Sequence, residues 1–441
     1  MKLSTLLPQC LVVFGICLTV SVAQDLPCSL EELVEPGDAN RDFEFDPNDL
    51  IQVMRIGKFE TGELAGWEEG DWNGDGVFDE GDIVSAFMTG NFRQGPYRLA
   101  VTGVPPTPRG GAPAVLLPGP VDSPDDGVIL LFGGMNPITG DTFSLGPHDG
   151  WVELTDGTAP GNRCHHTLIS DGQGGAILFG GFSFRGRFND TWRFDPLMSR
   201  WTRLPTTGDN PAARCLHAAA FIPTTHEMLM YGGIKGGGGV SEDFFLDTST
   251  LDLNTGRWER ISDDSPPGAR AGALAVYSSR EDAVFLWGGL QVTGSIDNVS
   301  GSSEAYPNEL WRFDPVVRMW ESLEVTGEVP VGREDPTYFW DSESERLYIF
   351  HGFNKTLPSD LQLLNDAHVL HLSELRWERL EIVGDVPAPR WRASSVLDPS
   401  SGQGWMFGGW QDFGVTNLND LWRFDVDTKK WTKTCHLADK L

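Results

Sequence analysis

An apolar strand closing in a pair of glycines recurs along this chain and limits what it can fold into. Five copies read Leu130-Leu-Phe-Gly-Gly134, Ile177-Leu-Phe-Gly-Gly181, Leu229-Met-Tyr-Gly-Gly233, Phe285-Leu-Trp-Gly-Gly289 and Trp405-Met-Phe-Gly-Gly409, and a sixth is altered to Tyr348-Ile-Phe-His-Gly352. A tryptophan follows each copy: Trp151, Trp201, Trp258, Trp320, Trp377 and Trp431. Five copies also share a strand before that Trp, clearest in Asn189-Asp-Thr-Trp-Arg-Phe-Asp195, Asn308-Glu-Leu-Trp-Arg-Phe-Asp314 and Asn419-Asp-Leu-Trp-Arg-Phe-Asp425. In those five, the residue six before the Trp is Asp195, Asp252, Asp314, His371 or Asp425, and the fixed gap predicts a tight hairpin. The first copy lacks this strand between Phe143 and Trp151. Repeats of this length are single supersecondary units that bury their faces only by stacking on one another. With 52 Gly and 29 Pro in 441 residues the unit is β-rich, and a helical bundle is excluded.

A Gly pair after the second strand and a Trp on the fourth resemble the kelch repeat, over nearly all of residues 97–434. The resemblance implies four-stranded antiparallel blades around a central channel, so the expected fold is mainly β: a six-bladed kelch β-propeller over residues 96–441. Packing physics agrees, because radial stacking gives each twisted sheet a neighbour on both faces. Tyr97 lies 12 residues before Arg109, matching the gaps of 12 or 13 from each Trp to the next Arg. Tyr97-Arg-Leu therefore reads as a seventh fourth strand. It either closes the ring with the last blade, displacing Trp431-Thr-Lys outward, or caps the first.

Residues 24–95 are different in kind: they hold 18 Asp+Glu against 4 Lys+Arg. The acid falls in a duplicated twelve-residue loop. Asp38, Asn40, Asp42, Asp46 and Asp49 occupy positions 1, 3, 5, 9 and 12, and Asp71, Asn73, Asp75, Asp79 and Asp82 repeat them 33 residues later. Alternate residues of a tight loop aim oxygens at one centre, which suits the hard cation Ca2+. A short amphipathic helix is expected behind each loop. The module resembles the dockerin family, whose EF-hand-type loops end in Asp, over about residues 36–93. That resemblance implies an α-helical, calcium-dependent docking module for a cohesin-like or other docking protein, often in polysaccharide catabolism. Phe43 stands where a turn glycine is usual, so the first loop is expected to bind Ca2+ more weakly than the second, which has Gly76.

Ahead of this module, residues 1–23 carry Lys2, the apolar stretch Leu11 to Val20 and the small residues before Ala23, the marks of a signal peptide. The expected location is secreted, periplasmic or at the cell surface, with no membrane span after cleavage. Cleavage leaves Cys28, Cys164, Cys215 and Cys435, with Cys164–Cys215 and Cys28–Cys435 as alternative pairings. A formal net charge of −30 excludes nucleic-acid binding by phosphate neutralisation.

An arginine opens every blade: Arg109, Arg163, Arg214, Arg270, Arg333 and Arg390. In an antiparallel meander these arginines lie at the same end as the strand 2–3 loops, which vary most: 235–243, 290–308, 354–364 and 410–419. That face is the expected binding face. The six guanidiniums read either as ties between blades or as a collar for carboxylate or sulfate, with Glu334 and Trp391 beside it. The resemblance bears on this choice, since kelch propellers that bind acidic peptides use arginines in this region. His165-His166 lacks metal-ligand spacing. The copper site of the galactose oxidase family has no match among the six Tyr. A sialic acid mutarotase-like activity through Glu334 and Arg333, or another glycan-modifying activity, is the enzymatic alternative. Binding is favoured over catalysis, with an extracellular glycan or protein as ligand, because two interaction modules are evident and a catalytic constellation is not.

Overall fold

The computed structural model describes residues 36–40, 45–89, 92, 99–119, 127–146, 150–155, 157–235, 244–293, 303–412 and 416–437. The signal segment, Asp42 and Tyr97 lie outside them. The chain divides into two compact units, the smaller made of Asp25–Pro105 with Leu421–Arg423 and Thr432–Leu441.

In the smaller unit, α1 (Pro47–Ile56) and α2 (Glu80–Met88) follow the two acidic loops. Each begins at an aspartate, Asp46 or Asp79, whose side chain accepts the helix's free N–H groups, with the position-12 aspartate completing a capping box. Asp49 accepts from the N–H of Ala39, Asn40 and Asp46; Asp82 accepts from Trp72, Asn73 and Asp79. The duplication extends to packing. Gly37 and Gly70, both at φ 109°, make room for the rings of Phe45 and Phe78, which share a core with Val53, Trp72 and Ala86.

Beyond Pro105 six four-stranded antiparallel meanders follow one another. Their first strands are Ala114–Leu117, Thr167–Ser170, Ala218–Ile222, Leu274–Ser278, Thr337–Asp341 and Ser394–Asp398. Their fourth strands are Gly150–Leu154, Arg200–Leu204, Arg257–Ser262, Met319–Leu323, Arg376–Arg379 and Lys430–Leu437, each carrying its Trp. The hairpin gap has a side-chain cause. Asp195, Asp252, Asp314 and Asp425 each accept two backbone N–H groups across the strand 3–4 turn, such as Val316 and Val317 for Asp314. His371 cannot, and a 3-10 turn, Leu372–Glu374, takes its place. The first blade does have a third strand, Thr139–Gly146; its Leu145 faces Trp151 where Phe194 faces Trp201 in the next.

Three sets of contacts close the ring. The aromatic before each Gly pair packs on the Trp of the following blade, with centroids 4.9–5.7 Å apart: Phe132–Trp201, Phe179–Trp258, Tyr231–Trp320, Trp287–Trp377, Phe350–Trp431 and Phe407–Trp151. The N–H of the second glycine donates to the next blade's arginine carbonyl at 2.7–3.0 Å, six times, ending with Gly409 to Arg109. Nearer the axis a second cycle runs through Gly111, His165, Leu216, Gly272, Asp335 and Arg392, each N–H donating to the preceding carbonyl at 2.8–3.2 Å. All six residues of that cycle have φ between 46° and 67°.

Sequence left the closure open. Leu99–Thr102 neither displaces Trp431 nor caps the first blade: it runs parallel to the end of Lys430–Leu437, with Leu99 opposite Thr434, outside a complete sixth sheet. Short parallel segments, Thr207–Gly208 and Thr326–Gly327, likewise edge the third and fifth sheets.

Candidate functional site

Each arginine sits in the connector four or five residues before its first strand, rather than opening the strand itself. Its side chain is 0–4 % exposed in all six blades. Nη1 donates to the carbonyl of the first residue of the Gly pair (Gly133, Gly180, Gly232, Gly288, His351 or Gly408), and Nε to a carbonyl two or three residues upstream. Five guanidiniums also grip an aspartate with both nitrogens: Arg109–Asp141, Arg163–Asp190, Arg214–Asp247, Arg333–Asp366 and Arg390–Asp420, the closer contacts 2.5–2.6 Å. Burial opposes ionisation of Asp190 and Asp366, yet the hydrogen bonds and charge of Arg163 and Arg333 hold both below the usual carboxylate range. Among the described residues the carboxylate that Arg270 meets is Glu309, at 3.4 Å. The collar expected for an anionic ligand is therefore not open. Its donors are spent inside the blades, because a buried guanidinium is tolerated only when its N–H groups are matched. Arg333 in particular turns to Asp366 and away from Glu334, so the acid–base pair of the enzymatic reading is not assembled.

What faces the channel is the second residue after each arginine: Gly111, His165, Leu216, Gly272, Asp335 and Arg392. Arg392 donates to Asp335 at 2.8 Å and to His165 Nε2 at 3.3 Å, and its guanidinium lies over the rings of Trp391 and Trp410. Glu334, 5 % exposed, is pushed up to about 8, by burial first and then by Asp335 and Glu304 against Arg392 and Lys355. The Tyr306 hydroxyl is raised too, by burial and the Glu334 charge. Lys355 pairs with Glu304 at 3.0 Å, tying the ribbon of Gln291–Thr293 and Ser303–Ala305 to the fifth blade's loop. Beside this cluster, Phe353 and Trp391 pack 4.8 Å apart as the wall of a cleft of about 410 Å³, with Gln362, Gln411, Asp360 and Asp412 around it.

Burial, then Arg392 for His165 and Arg163 for His166, holds both rings of the histidine pair well below the usual histidine range. Cys164 and Cys215 are buried free thiols, and burial raises both. In the acidic loops the donors are hard oxygens, as calcium requires. The second loop's are engaged with their own backbone: Asp71 accepts from Gly74 and Gly76, Asn73 from Asp75, Asp75 from Val77 and Asp79 from Gly81. Among the described residues no group of three or more His, Cys, Asp or Glu is arranged to hold an ion. Sequence reasoning missed Tyr306, Phe353 and Lys355, which lie in loops of variable length without a repeat signature.

The closed ring of Gly-pair and Trp repeats defines a six-bladed β-propeller. The chain belongs to the kelch-repeat family: the KLHDC2/KLHL20/DRC7 Kelch-repeats domain matches residues 83–289 and 278–438. Among similar proteins is acyl-CoA-binding domain-containing protein 4 of Arabidopsis thaliana, 27% identical over 55% of this chain and 34% of that protein. Kelch domain-containing protein 2 of Bos taurus is 23% identical over 66% of this chain and 73% of its own length. The Rab9 effector protein with kelch motifs of Bos taurus is 26% identical over 44% of this chain and 49% of that protein. The chain spans about a third of the length of the plant relative. Among the described residues no helix is long and apolar enough to cross a membrane.

Proposed function

We propose that the propeller is a protein-recognition module that receives an extended segment of a partner in the cleft between Phe353, Trp391, Gln362 and Gln411. The observation that carries this reading is the division of labour around the ring. The arginines and glycine pairs are consumed by the framework, whereas the strand 2–3 loops of the last two blades leave an aromatic wall rimmed by Asp360, Gln411 and Gln362, the last with its amide nitrogen donating to the carbonyls of Lys355 and Leu357, a mix of apolar and polar groups suited to a main chain and its side chains. One bovine relative is named as a Rab9 effector protein with kelch motifs. The paired acidic loops add calcium-dependent docking, and the apolar leader exports the chain; the exact 33-residue duplication supports the first and residues 1–23 the second.

The test is a selection of displayed random peptides on the immobilised full chain. Winning peptides should lose binding to an Asp360→Arg/Gln411→Arg variant and keep it on Phe184→Ala, an exposed residue of the second blade. Equal binding to both variants would place recognition elsewhere. Calorimetric titration of the chelated chain with Ca2+ should show a tighter phase removed by Asp71→Ala with Asp82→Ala, leaving the weaker heat of the first loop; a flat titration of the parent chain would remove calcium from the reading.

A further inference from the structure

The geometry points to a second site, inside the channel: a small uncharged polyhydroxy molecule held by His166 and His217 beneath the neck of left-handed residues. A cavity of about 170 Å³ lies there, lined by both histidines with Tyr338, Ser395, Asp335 and Arg392. His166 is 3 % exposed and His217 5 %. Both ring nitrogens of His166, and Nδ1 of His217, are buried without a hydrogen-bond partner among the described residues. The other nitrogen of His217 meets the Thr167 hydroxyl at 2.9 Å. Buried polar atoms are nearly always matched, so three mismatches at one cavity ask for a partner that enters it.

The chemistry of that partner follows from the groups it must answer. Burial keeps His166 well below the usual histidine range and His217 at about 3, so each ring is neutral, with one N–H donor and one bare acceptor nitrogen. A hydroxyl both donates and accepts and can satisfy the two kinds of nitrogen. A carboxylate only accepts and an ammonium only donates, so either leaves a nitrogen unanswered. The cavity's two charges, Asp335 and Arg392, already neutralise each other at 2.8 Å and offer no net attraction to an ion. Size narrows the class further. At protein-like packing density such a cavity holds roughly 125 Å³ of van der Waals volume, a three- or four-carbon polyol and less than a hexose.

The full chain labelled with 15N-histidine tests this. Nine histidines give a tractable spectrum, and the signals of His166 and His217 are assigned with His166→Gln and His217→Gln. Titrated erythritol should move both signals together and saturably in the millimolar range, while sucrose at equal osmolality leaves them still. Shifts that rise linearly, or that sucrose reproduces, would overturn the proposal. The comparison of the two sugars on the unaltered chain decides the matter even where a variant fails to fold.

Discussion

At the scale of single residues, the structure separates charges that hold the fold from charges that sit on it. Asp247 grips a fully buried Arg214 with both oxygens, so Asp247→Asn leaves an unmatched interior charge and should cost about 3–5 kcal/mol. Glu309 is 54 % exposed and reaches Arg270 only at 3.4 Å, so Glu309→Gln should cost less than about 1 kcal/mol. Urea midpoints of the two variants check the contrast. Acidity gives a second prediction. An unfolded glutamate loses its proton above 4.5, while folded Glu334 keeps it to about 8, so the parent chain loses stability as pH rises between them. Glu334→Gln should match the parent at pH 5 by thermal melting and exceed it at pH 9. Between about pH 3 and 6.5 two histidines act with the opposite sign: buried His217 and His351, both depressed to about 3, resist protons that the unfolded chain accepts, so their contribution is lost as pH falls. The arginines themselves were legible in the sequence as one per blade, but their partners were not. Asp141, Asp190, Asp247, Glu309, Asp366 and Asp420 lie 27 to 39 residues downstream, a spread set by loops of unequal length.

At the scale of elements, the glycine pair is a docking edge. A Cβ on Gly133, at φ 63°, would lie 2.3 Å from the Arg163 carbonyl oxygen, against which the neighbouring N–H of Gly134 bonds. Gly157, at φ 70°, has nothing within 4 Å of the same added atom. Gly157→Ala should therefore cost only the left-handed strain, about 1–2 kcal/mol, whereas Gly133→Ala should lose that and the contact between blades, read as a far lower melting point. The pair, the Trp and the turn aspartates carried the blades in the sequence because each is a fixed local demand. The inner cycle was invisible there. Its six left-handed positions are filled by Gly, His, Leu, Gly, Asp and Arg, and only closure of the ring imposes that conformation on them.

At the scale of the whole molecule, closure and recognition are separate achievements. The ring is finished by Phe407 against Trp151 and by Gly409 and Gly111 bonding across the junction of last and first blades. The propeller has two faces to compare. One bears the cleft at Phe353 and Trp391. At the other, the strand 3–4 turns expose Leu197, Met198, Val316 and Val317. Hydrogen exchange on the full chain, with and without a display-selected peptide, tells them apart most directly. Recognition by the cleft predicts slowed exchange confined to residues 353–364, 389–392 and 410–412. Slowed exchange at 196–199 and 315–318 instead, with the cleft unchanged, would contradict it.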